Sequence, residues 1–157
     1  MQLTYSQDGS LSLKAKQTTV VVDGEFKIGD LKLPGPGEYE AGGVFAEIQP
    51  DIAHFHLEEM VIVYLEHSKR SVTEAELEHL ENVDVLMVAI DSAAKDELQT
   101  VTKLIKEIDP KVVVLVGMTD PTAFAKVDGE TPEVVTTLKL MPADLPAEGR
   151  TVYLLTV

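Results

Sequence analysis

The sequence of 157 residues contains no cysteine. Without thiols, the chain forms no disulfide bond, no thiolate zinc site and no cysteine nucleophile. The same absence is compatible with a reducing compartment. Any metal site would therefore have to be built from histidine and carboxylate side chains.

Long apolar runs are also missing. None approaches the ~20 residues that a membrane-spanning helix requires. The N-terminal segment Met1–Asp8 has neither a basic start nor an apolar core, so it does not have the pattern of a signal peptide. These features predict a protein without a membrane segment, and the default expectation is a cytoplasmic location.

Basic residues are scarce: 13 Lys and Arg stand against 27 Asp and Glu, a formal net charge of -14. Binding to nucleic acid depends on a surplus of Lys and Arg, and so does binding to an anionic membrane surface. The charge therefore predicts no nucleic-acid partner and no membrane partner. It favours solubility and leaves a protein partner open.

The length and composition predict one globular domain over residues 1–157. Its first third has the pattern of antiparallel β-structure. Asp8-Gly9 and Asp23-Gly24 each lie between apolar runs, and Gly accepts the positive φ that a hairpin turn needs. The Pro- and Gly-rich segment Pro34–Gly43 predicts a rigid turn, followed by strands at Val44–Ile48 and Met60–Leu65.

The second half has the pattern of a β-α-β unit. Thr73 and Glu76 have the spacing of a capping box, in which the side chain of each residue accepts a hydrogen bond from the backbone N–H of the other. A continuous apolar strand followed by an amphipathic helix and a second such strand predicts a parallel pair with a right-handed crossover. The predicted elements are a helix at Thr73–Glu81, a strand at Val83–Ile90, a helix at Ala93–Ile108 and a strand at Lys111–Val116.

In this order, the sequence resembles the small metallo-β-lactamase-fold proteins known as Zn-dependent hydrolases. The resemblance covers nearly the whole chain and implies a truncated αββα sandwich, in which two packed β-sheets carry outer helices. It is carried by Leu3-Thr4-Tyr5, by Gly35-Pro36-Gly37-Glu38-Tyr39-Glu40 as the most specific match, by Thr73–Leu77 with Val83–Val88, by Ile108–Val114, and by Leu138–Leu140 with Asp144-Leu145-Pro146.

The departures from the family concern its metal ligands. The family's His-x-His-x-Asp-His motif belongs between Asp23 and Leu33, and that interval contains no histidine. By the resemblance, the family's bridging Asp falls at about His67 and its final ligand His at about Gly117. A zinc hydrolase needs a cluster of ligands to hold the ion and lower the pKa of its water. We therefore predict that the zinc site is lost.

Three histidines are the remaining candidates for a metal site. In a strand, His54 and His56 would lie on one face with Glu58 following, and His67 could supply a third ligand. A structural or surface role is the competing interpretation for each of them. Asp91 follows a buried strand, and we interpret it as the cap of the next helix.

We therefore predict a non-catalytic protein with no catalytic residue and no cofactor, and with a structural or protein-interaction role that includes self-association. Two alternatives stay open. One is a residual zinc-dependent hydrolase that uses His54, His56 and His67 on a phosphodiester or lactone-type substrate, by analogy with the family. The other is a small-molecule binding module that keeps the ancestral cleft.

Overall fold

The computed structural model describes residues 1–157, which form two β-sheets packed face to face. The first sheet has six strands in the order β13-β1-β2-β3-β4-β5, and all its pairs are antiparallel. Its strands are β1 Gln2–Tyr5, β2 Leu11–Lys14, β3 Thr19–Val22, β4 Phe26–Ile28, β5 Leu31–Lys32 and β13 Thr137–Lys139.

The second sheet has eight strands in the order β12-β14-β11-β10-β9-β8-β7-β6. The neighbouring strands β12, β14, β11, β10 and β9 are parallel to one another. Its strands are β6 Gly37–Ala41, β7 Val44–Gln49, β8 Ile52–Leu57, β9 Met60–Leu65, β10 Val85–Ala89, β11 Val112–Val116, β12 Glu133–Val135 and β14 Thr151–Leu155. The helices are α1 Glu74–Glu78, α2 Lys95–Ile108 and α3 Pro121–Asp128, with a short 3-10 turn at Pro142–Asp144.

Two apolar layers hold these elements together. Alternate residues of both sheets meet in the layer between them, where Leu3, Leu13 and Phe55 are fully buried. The other face of the eight-stranded sheet packs against the helices, with Leu98 of α2 and Phe124 of α3 in the second layer. Strands β10 and β11 are thus covered on both faces, which explains their nearly unbroken apolar sequences.

All three α-helices lie on the outer face of the eight-stranded sheet. The outer face of the six-stranded sheet carries no α-helix, and most of its outward side chains are polar, as at Thr4, Ser12, Lys14 and Lys139. Successive side chains of a strand point to opposite faces, so these strands bury one face and present a hydrophilic one to water. The fold is the expected two-sheet sandwich with outer helices, and the helices cover one sheet only.

The structure confirms both Asp-Gly hairpins, the parallel β10–β11 pair and the capping box, in which Glu76 N donates to Thr73 Oγ1 and Thr73 N donates to a Glu76 carboxylate oxygen. Three local expectations were wrong. The segment Pro34–Gly43 is not wholly a turn, because it contains strand β6. The helix from Thr73 ends at Glu78 rather than Glu81. Asp91 does not cap α2, whose N-cap is Ala94 without a side-chain bond.

Candidate functional site

The parallel strands β9, β10 and β11 end at the same edge of the eight-stranded sheet. His67, Asp91 and Gly117 come one or two residues after these strand ends. Open α/β sheets commonly bind ligands beyond the carboxyl ends of their parallel strands, because loops from neighbouring strands meet there. This edge is therefore the first place to test for the ligands that the family resemblance implies.

His67 lies between two carboxylates at this edge. Its Nδ1 is 3.4 Å from Asp91 Oδ1, and its Nε2 is 3.9 Å from Asp51 Oδ1. Asp51 belongs to the turn between β7 and β8, where it has a φ of 64°. Potential ligand atoms of Asp51, Glu66 and His67 all lie within 4.8 Å of one another. The cluster has one imidazole and is open to solvent, since the His67 side chain is 54% exposed.

Asp51 is also bound to a cation of the protein itself. Arg70 Nε lies 3.4 Å from Asp51 Oδ2, and the Arg70 guanidinium forms two hydrogen bonds to the carboxylate of Glu76. The hydrogen bond from Arg70, with those from Thr73, lowers the pKa of Glu76 to about 2. The ion pairs therefore join the β7–β8 turn to the start of α1, which is a structural use of these charges.

The buried carboxylate of Glu97 holds together the loops at the same edge of the sheet. Glu97, on the first turn of α2, is only 4% exposed. It accepts hydrogen bonds from Ser68 Oγ and from the backbone N–H and hydroxyl of Ser92, the latter at 2.7 Å. Burial raises the pKa of Glu97, but the hydrogen bonds from Ser68 and Ser92 outweigh it and leave this pKa lowered. Glu97 thus fixes the loops after β9 and β10 to helix α2.

The interval that should carry the family's zinc motif is a tight hairpin. Val22 of β3 pairs with Phe26 of β4, so only three residues turn the chain. The Phe26 ring packs 6.1 Å from that of Phe55 and 6.4 Å from that of Tyr64. Burial, with nearby negative charges, raises the pKa of Tyr64 to about 12. Apolar rings thus occupy the space between the sheets beside this hairpin.

Gly117 approaches a neighbouring loop too closely for a side chain. It has a φ of 84°, and a Cβ placed on it would lie 2.9 Å from the carbonyl oxygen of Ile90. A hydrogen bond of 2.9 Å from Ile90 N to Val116 O holds the two loops at this separation. A histidine at this position therefore requires both a strained φ and a movement of the backbone.

His54 and His56 lie elsewhere. They share the outer face of strand β8, as expected, but their strand partners Val63 and Val61 precede His67 by four and six residues. Along a strand, four residues span about 13 Å. Neither His54 nor His56 belongs to a group of three close ligand atoms.

The surroundings of the two side chains differ. His56 is exposed beside the Phe45 ring at 5.7 Å. His54 lines a narrow cleft with His79, the C-cap residue of α1, and the Nε2 of His54 is buried without a hydrogen-bond partner. Burial lowers the pKa of His54, so its neutral form is favoured.

These residues do not fit a catalytic zinc centre, which takes three or more protein ligands and an open position. His67 is the single imidazole at the edge, and Asp51 is shared with the Arg70 cation. From sequence we identified His67 but missed Asp51, Glu66 and Glu97. Asp51 in a turn next to Pro50 and Glu97 in an amphipathic helix gave no signal of proximity to His67.

None of the α-helices combines the length and the apolar character that crossing a bilayer requires.

In comparisons with known proteins, residues 4–116 match the family described as "Beta-lactamase superfamily domain". The fold is similar to that of a Thermotoga maritima protein named as a candidate Zn-dependent hydrolase of the metallo-beta-lactamase superfamily. The TM-score is 0.65, the match covers 99% of this chain and 100% of that one, and the identity is 17%. This likeness concerns the fold alone. A comparison with curated proteins gives no match.

Proposed function

Because the chain belongs to the beta-lactamase superfamily, we propose that it is a non-catalytic member with a structural or protein-interaction role. The observation that carries this proposal is the contact between Gly117 and Ile90. The position expected for the last metal ligand is not merely substituted, since its backbone is packed where a side chain would begin. A simple substitution would have left that space open.

Two further changes support the same proposal. The chain turns through a three-residue hairpin where the family's histidine loop belongs, and Phe26 packs beside it. His67 stands where an Asp is expected and is flanked by Asp51 and Asp91. Each change either removes a ligand position or uses it for a contact within the protein. Hydrolysis by a zinc-bound water needs the ligands together around one ion.

A residual metal-dependent hydrolase acting on a phosphodiester or lactone-type substrate is the second candidate. It is favoured by the cluster of Asp51, Glu66 and His67, whose potential ligand atoms lie close together. The Arg70 guanidinium beside Asp51 opposes a second cation at that carboxylate. A small-molecule binding module that keeps the ancestral cleft is less favoured, because Phe26 packs against Phe55 and Tyr64 between the sheets.

We predict zinc far below one ion per chain after purification without added metal. Zinc or manganese should also produce no hydrolysis of bis(p-nitrophenyl) phosphate or of a simple lactone above that of the metal ion alone. The reason is the lack of three free ligands around an open position. Metal content is measured by mass spectrometry on the wild type, His67→Ala and the double variant His54→Ala/His56→Ala.

The variants identify which alternative holds if the prediction fails. One zinc per chain that is lost in His67→Ala would support the residual hydrolase at the edge cluster. One zinc per chain that is lost in the double variant would support the site predicted from His54 and His56. A small zinc content that is equal in all three proteins is the expected result, since an acidic surface collects cations without a built site.

For the interaction role, we propose self-association through the edge strand β12. Val134 on this strand is 50% exposed, and an unpaired edge of this kind can pair with a second copy about a twofold axis. The opposite edge of the sheet, β6, presents two exposed carboxylates, Glu38 and Glu40, whereas β12 presents one, Glu133, so like-charge repulsion opposes pairing more strongly at β6. We propose a cytoplasmic location as well, with which the absence of cysteine is compatible.

Light scattering should give a mass above that of the monomer at high protein concentration and moderate salt, because salt screens the repulsion between chains of charge -14. Val134→Lys should return the protein to a monomer by placing a charge on the edge. Val157→Lys is the matched control, since Val157 is 57% exposed but lies outside every strand. A wild type that stays strictly monomeric under these conditions would eliminate self-association.

A further inference from the structure

A groove of about 380 Å³ runs between helices α2 and α3, on the outer side of the helical layer. Four of its seven lining residues are lysines, and none is acidic. The chain has only 13 basic residues against 27 acidic ones, so this concentration of positive charge is unusual for the molecule. The lysines are Lys95, Lys103 and Lys106 of α2 and Lys126 of α3.

The helical repeat explains how the groove is assembled. Lys95, Gln99, Thr102 and Lys106 recur at intervals of three or four residues and therefore form one stripe along α2. The stripe borders the buried face of the helix at Thr102 and extends over three turns, about 16 Å from Lys95 to Lys106. The stripe therefore has a positive charge at each end, on Lys95 and on Lys106.

These lysines are largely free of internal partners. Among the four, only Lys103 forms an ion pair, with Glu107 at 3.8 Å. Lys95 is moreover the first residue of α2, where the helix dipole disfavours a positive charge. Lys106 and Lys126 lie in the last turns of their helices, where the dipole favours them. The unfavourable placement of Lys95 is not explained by helix stability.

A buried hydroxyl without a partner lies beneath the lysines of the groove. Thr102 is 5% exposed, and its Oγ1 forms no hydrogen bond. The neighbouring Thr100, by contrast, donates to the carbonyl oxygen of Asp96 at 3.1 Å. Burying an unsatisfied hydroxyl costs free energy, so such a group indicates a missing partner. Oγ1 is closed to water in the free protein, so an anion in the groove reaches it only when the Thr102 side chain turns about its Cα–Cβ bond and brings the hydroxyl outward to donate to a phosphate oxygen.

We propose that this groove binds a small anion carrying two or more phosphate groups. Lysine ammonium groups bind phosphate as point charges, and the volume is that of a small-molecule site. Val127 is the one apolar residue of the lining, so the groove lacks the apolar anchors on which protein interfaces depend. A long polyanion such as nucleic acid is disfavoured because the net charge of -14 repels it outside the groove.

The test is calorimetric titration of the full chain with sodium tripolyphosphate at moderate salt. We expect saturable binding of one ion per chain. The double variant Lys95→Gln/Lys106→Gln should weaken it by about tenfold or more, the effect of losing about 1.4 kcal/mol. The matched control is Lys14→Gln/Lys139→Gln, which removes the same charge from two exposed lysines on the outer face of the six-stranded sheet and should leave the affinity unchanged.

Thr102→Val provides a second variant that keeps the net charge and the shape of the side chain. It should weaken tripolyphosphate binding several-fold and leave the thermal stability equal or higher, since the hydroxyl has no partner in the free protein. Three outcomes would overturn the proposal: no saturable binding, equal weakening in the control variant, or tighter binding of a polyglutamate peptide than of tripolyphosphate. The last outcome would indicate an acidic protein segment as the ligand. None of these outcomes bears on the zinc content.

Discussion

Glu97→Ala is expected to lower the free energy of unfolding by about 3 kcal/mol, because a buried carboxylate that accepts several hydrogen bonds is removed. Glu97 accepts from Ser68 Oγ and from two donors of Ser92. Without it, a buried hydroxyl and a backbone N–H lose their acceptor, and each unsatisfied group adds to the loss. The loops after β9 and β10 would then be released from helix α2.

Urea denaturation at pH 7 measures this loss, with Glu107→Ala as the control. Glu107 lies on the same helix, but its single ion pair is an exposed one with Lys103 at 3.8 Å. Such a pair contributes about 0.5 kcal/mol or less. Equal effects of the two substitutions would contradict the structural role that we assign to Glu97.

The pH dependence gives a second readout of the same network. The folded-state pKa of Glu97 is lowered from its ordinary value of 4.5. Its contribution to stability is therefore fully present above pH 4.5 and is lost as the pH falls through the folded-state pKa. Glu97→Gln should flatten the acid side of the stability profile relative to the wild type. An unchanged acid profile would show that the carboxylate is not held in its charged form by Ser68 and Ser92.

Much of the fold could be predicted because its signals are local. Asp8-Gly9 and Asp23-Gly24 determine their hairpins through residues adjacent in the chain. The capping box of Thr73 and Glu76 spans one helical turn, and the β10-α2-β11 unit follows from apolar runs on either side of an amphipathic helix. In each case the interaction partners lie within a few residues of each other or within one supersecondary unit.

The parts that could not be predicted depend on distant partners. Strand β6 is formed by pairing with β7, which overrides the turn preference of its Pro- and Gly-rich sequence. At Thr136 the chain leaves one sheet for the other, because β12 pairs with β14 and β13 pairs with β1. Nothing in the local sequence around Thr136 indicates such a change of sheet, because each half of the segment has an ordinary strand pattern.

The contacts of the candidate site also join residues that are distant in the sequence, so they could not be predicted either. His67 was identified because it replaces an expected ligand, whereas its contact with Asp51 joins residues 16 positions apart through the β8–β9 hairpin. Glu97 was hidden for a different reason. A carboxylate in the first turn of a helix is ordinarily explained by the helix dipole, and the periodicity of α2 does not reveal that the loops after β9 and β10 bury it.

Gly117→His is expected to lower the free energy of unfolding by about 3 kcal/mol and to bind no zinc. A side chain in the left-handed region costs about 1 kcal/mol or more. Here the added Cβ would also meet the Ile90 carbonyl oxygen at 2.9 Å, and the backbone of one loop must move to relieve that contact. Overpacking of this kind adds about 1–3 kcal/mol.

Gly24→His separates the two contributions. Gly24 has the same φ of 84° as Gly117, and a Cβ placed on it has no neighbour within 4 Å. Its substitution should therefore cost about 1 kcal/mol, which is the conformational contribution alone. The difference between the two variants measures the contact with Ile90. If Gly117→His is no less stable than Gly24→His, the loop at Ile90 moves away from the added side chain at no cost in free energy.

The zinc content of Gly117→His then connects stability with function. A histidine at position 117 would raise the zinc content if the other ligands of a site were in place at this edge of the sheet. We expect no increase, because the hairpin after Val22 supplies no histidine and Asp51 stays paired with Arg70. One zinc per chain in this variant, with activity on a phosphodiester, would mean that the edge of the sheet keeps a usable metal geometry. The non-catalytic proposal would then have to be withdrawn.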